Sequence, residues 1–187
     1  MRTVSYSMNA SLDGFVEDAT GGFDWSMPDP DVFRAHIEEI RGVGVHLLGR
    51  RLHETMLYWE TADASTFDSD EREWATWWNA LPKVVFSRTL TEVQGINTRL
   101  ATGTLAEEVA RWRDTPGDGD IAIGGAILAA EAADLGLIDE YRVMVHPVLV
   151  GGGKPYFARN QRQVELELLD TRTFANGVVR LRHRVRR

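Results

Sequence analysis

The 187-residue chain contains no cysteine, which excludes a disulfide scaffold, a zinc-thiolate site and a cysteine nucleophile. Its five histidines are scattered without metal-ligand spacing, so no metal site is expected. No run approaches about 18 apolar residues, and the N-terminal MRTVSYSMNASLDG alternates like a strand instead of forming a signal-peptide core. The expectation is a cytoplasmic protein with no membrane partner. Basic charge is also short. With 21 Lys and Arg against 28 Asp and Glu, the formal charge of −7 argues against nucleic acid or an anionic membrane as partner. The G-x-G-x-x-G dinucleotide fingerprint is missing too.

What is present suits one globular domain over residues 1–187: 43% hydrophobic and 26% charged residues, no internal repeat, and no linker that would split the chain. Thr3 to Ala10 reads as a strand turned by Ser11-Leu12-Asp13-Gly14. Asp29 to Ile40 places Val32, Phe33, Ile37 and Ile40 at helical spacing. Val43 to Leu48 and Lys83 to Phe86 read as buried strands, and Leu52 to Leu57, Glu71 to Leu81 and Leu105 to Trp112 as helices. This alternation predicts a mostly parallel sheet covered on both faces. After Leu137 the pattern changes: Tyr141 to Val150 reads as a long strand, and Val164 to Phe174 and Val178 to Val185 flank Asn176-Gly177, a strong hairpin signal.

The densest stretch is Ile121 to Phe157. A short apolar strand there breaks at Gly124-Gly125 and leads into a helix from Ala126 to Leu135. Such a turn leaves free backbone N–H groups at a positive helix end, where a pyrophosphate can sit, although a glycine pair is more often an ordinary tight turn. Gly151-Gly152-Gly153 is as good a loop as a phosphate contact. Ligands of open α/β sheets bind beyond the carboxyl ends of the strands, so four turns collect the candidates: Asn9–Gly14, Gly49–Leu52, Ser87–Thr89 and Ile123–Leu128. Arg50, Arg51 and Arg88 suit phosphate groups or are solvated surface residues. Asp29 and Asp31 either cap the first helix or hold a proton beneath Trp25; the sequence leaves both open. The Trp74, Trp77 and Trp78 cluster reads as packing, and the arginines alternating from Arg180 to Arg186 read as a half-exposed strand.

In order and spacing, Met8–Gly14, Leu47–Arg51, Pro82–Leu90 and above all Gly124–Phe157, with Gly136–Glu140 and His146–Lys154, resemble the dihydrofolate reductase-like family. The likeness is to the branch related to the C-terminal reductase domain of the bifunctional riboflavin-biosynthesis deaminase-reductase, and it spans nearly the whole chain. It implies an α/β fold of three layers, αβα, with a central mostly parallel mixed sheet and an antiparallel C-terminal hairpin. It implies NADPH lying across the strand ends and hydride transfer to a small heterocyclic (pterin- or pyrimidine-like) or carbonyl substrate, with dihydrofolate reductase or 5-amino-6-(5-phosphoribosylamino)uracil reductase-like activity. Gly124, Gly125 and Ala126, with Ile127 and Leu128, would hold the pyrophosphate, the Gly-Gly peptide being cis. Ser87, Arg88, Gly49, Arg50, Arg51 and Leu52 would surround the adenosine ribose and its phosphates. Asn9, Ala10, Val16 and Ile123 would pack near the nicotinamide, Trp25 and Phe33 would meet substrate, and Asp31 or Asp29 would supply the proton. Relatives pair as homodimers, so a homodimer is expected.

Three positions depart from the family pattern. Pro30 stands five residues after Trp25, where dihydrofolate reductases carry a carboxylate. Ile123 replaces the Glu that precedes the glycine pair in riboflavin-pathway reductases, and Leu52 replaces a Thr. A second reading is a non-catalytic nucleotide- or small-ligand-binding module on the same fold.

Overall fold

The computed structural model describes residues 1–158 and 163–187. β1 (Val4–Ser11) is followed by β2 (Phe15–Glu17), α1 (Pro30–Ile40), β3 (Val43–Gly49), α2 (Arg50–Met56), α3 (Tyr58–Thr61), α4 (Ser69–Ala80) and β4 (Lys83–Phe86). Then come β5 (Thr98–Leu100), α5 (Leu105–Asp114), β6 (Asp120–Gly124), α6 (Ala126–Asp134), β7 (Glu140–His146), β8 (Lys154–Pro155), β9 (Leu166–Thr173) and β10 (Val179–Val185).

Eight strands form one sheet in the order β5-β4-β3-β6-β1-β7-β10-β9. From β5 to β7 every pairing is parallel, while β10 runs antiparallel to both β7 and β9. This is the mixed sheet with a C-terminal hairpin that the periodicity predicts. Alternation along each strand sorts side chains to two faces. Val4, Tyr6, Val45, Leu47, Ile121 and Ile123 pack with α5 and α6 on one face. On the other, α1 contributes Val32 and Ala35 against Met144, and α4 contributes Trp78 against Leu48 and Val85. The result is three layers.

That second face is polar for a buried surface: Ser5, Lys83, Glu140, Arg142 and His146 are all buried. Each charge there finds partners, as a buried charge must. Arg142 donates to Glu140 at 2.7 Å and Asp120 at 2.5 Å and lies 3.5 Å from Glu39 of α1. Lys83 Nζ donates to the carbonyls of Trp78 and Leu81 at 2.8 and 3.1 Å.

Several boundaries differ from those expected. The strand read as Tyr141 to Val150 stops at His146, because Pro147 has no N–H to continue the ladder. The helix read from Glu71 begins at Ser69, since Asp68 and Glu71 form a reciprocal cap. β10 lies inside the sheet and β9 forms the edge, and Arg180 and Arg182 are engaged by Asp170 and Glu140. The Gly124–Gly125 peptide is trans instead of cis; Gly125 makes the turn by adopting φ 97°, a region open to glycine without steric cost.

Candidate active site

The carboxyl ends of β1, β3, β4 and β6 open into one cleft of about 1080 Å³. Two helices start at its wall in an unusual way. α1, α4 and α5 are capped by the side chains of Asp29, Asp68 and Thr104, whereas α2 and α6 begin at Gly49 and Gly125 with no side-chain cap. Their first N–H groups are therefore not taken up by a capping side chain, at the positive end of each helix. Gly124 sits behind this turn for want of space: a Cβ there would come within 2.8 Å of His46 Nε2, Leu48 Cδ2 and Leu52 Cδ2. Two glycines thus serve two purposes, close packing at Gly124 and backbone conformation at Gly125.

The turn after β4 is shaped by Ser87, whose Oγ accepts the N–H groups of Thr89 and Leu90 at 3.2 and 3.0 Å. That serine turn holds Arg88 at the cleft. Arg50 reaches Thr89 Oγ1 at 3.2 Å and lies 3.6 Å from Glu54. Among the described residues, Arg51 and Arg88 make no side-chain hydrogen bond or ion pair, and both are exposed. Two unengaged guanidinium groups beside two uncapped helix ends make this part of the cleft an anion-attracting surface.

At the opposite side, β2 and β8 form a small flap. Asp13, held by Ser11 Oγ at 2.6 Å, accepts the N–H groups of Val150 and Gly151 at 3.2 and 2.8 Å, so the glycine triplet is tied down as a structural turn. These bonds hold the Asp13 carboxyl below its ordinary range, the Ser11 hydroxyl foremost. Lys154 of β8 pairs with both Glu17 oxygens at 2.7 and 2.6 Å within the cleft wall.

The cleft lining includes Asn9, Val16, Gly49, Arg50, Arg51, Leu52, Ser87, Arg88, Ile123, Gly125, Ala126, Ile127, Leu128 and Phe33. Ala10 is instead buried in the core on the α5/α6 side, and Gly124 lies behind the surface. Trp25 is half-buried outside the lining, its ring edge-on to His146 at 5.7 Å. Asp29 caps α1, accepting the Val32 N–H at 3.0 Å, and Asp31 is exposed outside the cleft. Trp25 Nε1, His146 Nε2 and Asn9 Oδ1 are buried without a hydrogen-bond partner among the described residues. Burial pushes the His146 imidazole below its ordinary value, with His36 reinforcing and Asp29 opposing the shift.

Several lining residues escaped the sequence reading: His36, Glu39, His46, Trp59 and Trp74. For His46 a signal existed, since one histidine interrupts the apolar run Val43–Leu48. Burial and then the charge of Lys83 push it down to about 4, so its ring is neutral at pH 7. Of the three clustered tryptophans, Trp78 is core, Trp74 packs against that core while also lining the cleft, and Trp77 is exposed. Among the described residues no cluster of His, Asp and Glu could hold a metal, and no helix is long and apolar enough to cross a membrane.

Comparisons with known proteins agree with this fold. The chain is 33% identical over 182 residues to the uncharacterized protein YyaP of Bacillus subtilis (strain 168), covering 96% of this chain and 93% of that protein. A solved structure from Shewanella sp. PV-4, named for riboflavin biosynthesis, shares the fold with a TM-score of 0.79 at 23% identity, covering 99% of each chain. The Thermotoga maritima diaminohydroxyphosphoribosylaminopyrimidine deaminase/5-amino-6-(5-phosphoribosylamino)uracil reductase matches with a TM-score of 0.67 at 14% identity, over 99% of this chain and 57% of that one. Residues 2–180 match the RibD C-terminal domain, and the chain belongs to that family.

Proposed function

We propose that the chain is an NADPH-dependent reductase of a small heterocyclic or carbonyl substrate. One observation carries this reading. The uncapped starts of α2 and α6 meet the unengaged Arg51 and Arg88 in a single cleft at the strand ends. Those groups fit a dinucleotide bearing a third phosphate: Gly125, Ala126 and Ile127 would take the pyrophosphate on bare backbone, and Ser87 with Arg88, Arg50 and Arg51 the adenosine ribose and its 2'-phosphate. Bound there, NADPH supplies a hydride.

The protein's own part is binding, orientation and exclusion of water. Asn9, Val16 and Ile123 would wall the reacting ring, with Asn9 Oδ1 an acceptor left unpartnered for it. The β2–β8 flap would screen that ring from water. Phe33 would face the substrate, with Trp25 behind it. Asp29, which favours the protonated form of His146, would be the acid by its family position, passing a proton toward the acceptor from outside the cleft lining. Homodimer formation and a cytoplasmic site of action belong to the same proposal.

One fact favours the second reading, a non-catalytic ligand-binding module: Asp29 is already engaged as a helix cap. Thermal melting with and without NADPH tests the shared premise. At a hundredfold excess over Kd, a native-state ligand adds about 2.7 kcal/mol, which raises Tm by about 5–10 °C for a domain of this size. An unchanged melt in millimolar NADPH removes the reductase reading and leaves the module only with a ligand other than NADPH. A shift without oxidation of NADPH across heterocyclic and carbonyl acceptors favours the module.

A further inference from the structure

The cleft does not end at the strand termini. It continues onto the α1/α4 face of the sheet, where Ser7, His46 and Ala122 line it from the strands and His36, Glu39 and Phe33 from α1. Its outer wall is aromatic. Phe33 stacks on Trp59 with centroids 5.8 Å apart and planes at 22°, and Trp74 lies 5.9 Å from Phe33 and 6.0 Å from Trp59. Ring faces set in this way favour a flat partner.

The charges are distributed unevenly. The guanidinium groups of the cleft, Arg50, Arg51 and Arg88, all stand at the ends of β3 and β4, where the cofactor phosphates would lie. Lys154 is held by both oxygens of Glu17. In the arm beneath α1, Glu39 is the charged lining residue among those described, and it lies 3.5 Å from Arg142. The two imidazoles beside it are kept neutral: burial pushes His36 down and His46 to about 4. Each therefore offers one donor and one acceptor instead of a cation.

We propose that this arm binds a flat, uncharged ring compound that carries hydrogen-bonding groups and no phosphate. The proposal rests on the reductase reading and narrows its substrate class. A phosphorylated substrate would enter an aromatic wall, two neutral rings and a carboxylate, with no unengaged cation lining the arm itself among the described residues. Removing a dianion from water without a partner is strongly unfavourable. The substrate class therefore differs from the phosphoribosyl compound that the Thermotoga maritima enzyme is named for.

Calorimetric titration with lumichrome, riboflavin and FMN, in saturating NADP⁺ so that the arginine end is filled, tests this directly. Riboflavin and FMN share ring and chain and differ by the phosphate. Lumichrome is expected to bind, and FMN at least tenfold more weakly than riboflavin. His36→Arg, which puts a cation into the arm, should narrow the riboflavin–FMN gap at least threefold; the wild-type comparison decides the matter if that variant does not fold. FMN binding as tightly as riboflavin, or no binding of any of the three, overturns the proposal. NADPH titrated alone separates the two levels: its failure to bind sinks the reductase reading, and lumichrome and riboflavin, which carry no phosphate for the arginine end, still report on the arm when titrated without NADP⁺.

Discussion

At the scale of single residues, the site depends on what is small and what is neutral. Gly124 has three side-chain ends within 2.8 Å of where a Cβ would stand. Gly124→Ala must displace His46, Leu48 or Leu52, and overpacking of this kind costs about 1–2 kcal/mol, so Tm should fall by about 2–8 °C. An unchanged melt would mean that the three side chains yield freely. His46 gives a pH signature. Its folded value of about 4 lies below the ordinary 6.5, so the unfolded chain binds the proton first. The stability this contributes is complete above pH 6.5, is lost as pH falls toward 4, and changes no further below that. With the ring partly open to the cleft, the loss is on the order of 1–2 kcal/mol. Denaturant melts from pH 7 to pH 4 should show a smaller loss for His46→Gln than for the wild type; parallel curves would contradict the assignment. The sequence showed that Gly124 and His46 were out of the ordinary, one in a pair after a strand and one in an apolar run. It did not show that they touch, because they come from strands 78 positions apart in the chain, brought side by side only by the β3–β6 pairing.

At the scale of elements, caps and breakers made much of the chain legible. Asp29 followed by Pro30, Asp68 with Glu71, and Thr104 with Glu107 each mark a helix start through local hydrogen bonds. Asn176-Gly177 marks the hairpin of β9 and β10 in the same local way. Pro147 ends β7 where alternation alone ran on to Val150. The three short strands β2, β5 and β8 were not legible. Two or three residues hold no periodicity, and these segments are strands only through what they pair with. Asp29 belongs at this scale because its role is divided between capping α1 and influencing a proton. Asp29→Ala removes the cap and should cost about 1 kcal/mol. Asp29→Asn keeps a capping oxygen but cannot ionise, so it should leave Tm nearly unchanged while lowering turnover and altering its pH profile. Equal turnover in Asp29→Asn and the wild type would leave Asp29 a cap alone.

At the scale of the whole molecule, the fold class was legible from alternation, but the strand order was not. The sequence β5-β4-β3-β6-β1-β7-β10-β9 places β6 between β3 and β1, a non-local choice that gathers four distant turns into one cleft. The charged side chains on the α1 face behave similarly. Glu39, Asp120, Glu140 and Arg142 look like solvated charges when read along the chain, and in the fold they are mutual partners between helix and sheet. Asp29 and Asp31 could not be told apart in the sequence either: in the fold Asp29 is the N-cap of α1 and Asp31 an exposed residue of its first turn. The arginines at the strand ends were legible as candidates, and the structure adds that Arg50 is paired with Glu54 while Arg51 and Arg88 have no ion-pair partner among the described residues.

The cleft as a site for a dinucleotide with a 2'-phosphate is best tried by titrating NADPH and NADH calorimetrically into the wild type and Arg88→Ala. The wild type should bind NADPH at least tenfold more tightly than NADH, about 1.4 kcal/mol, and Arg88→Ala should lose most of that preference by weakening NADPH alone. Equal binding of the two cofactors, or equal losses in the variant, would contradict the assignment of Arg88. No heat of binding from millimolar NADPH would contradict the reductase itself.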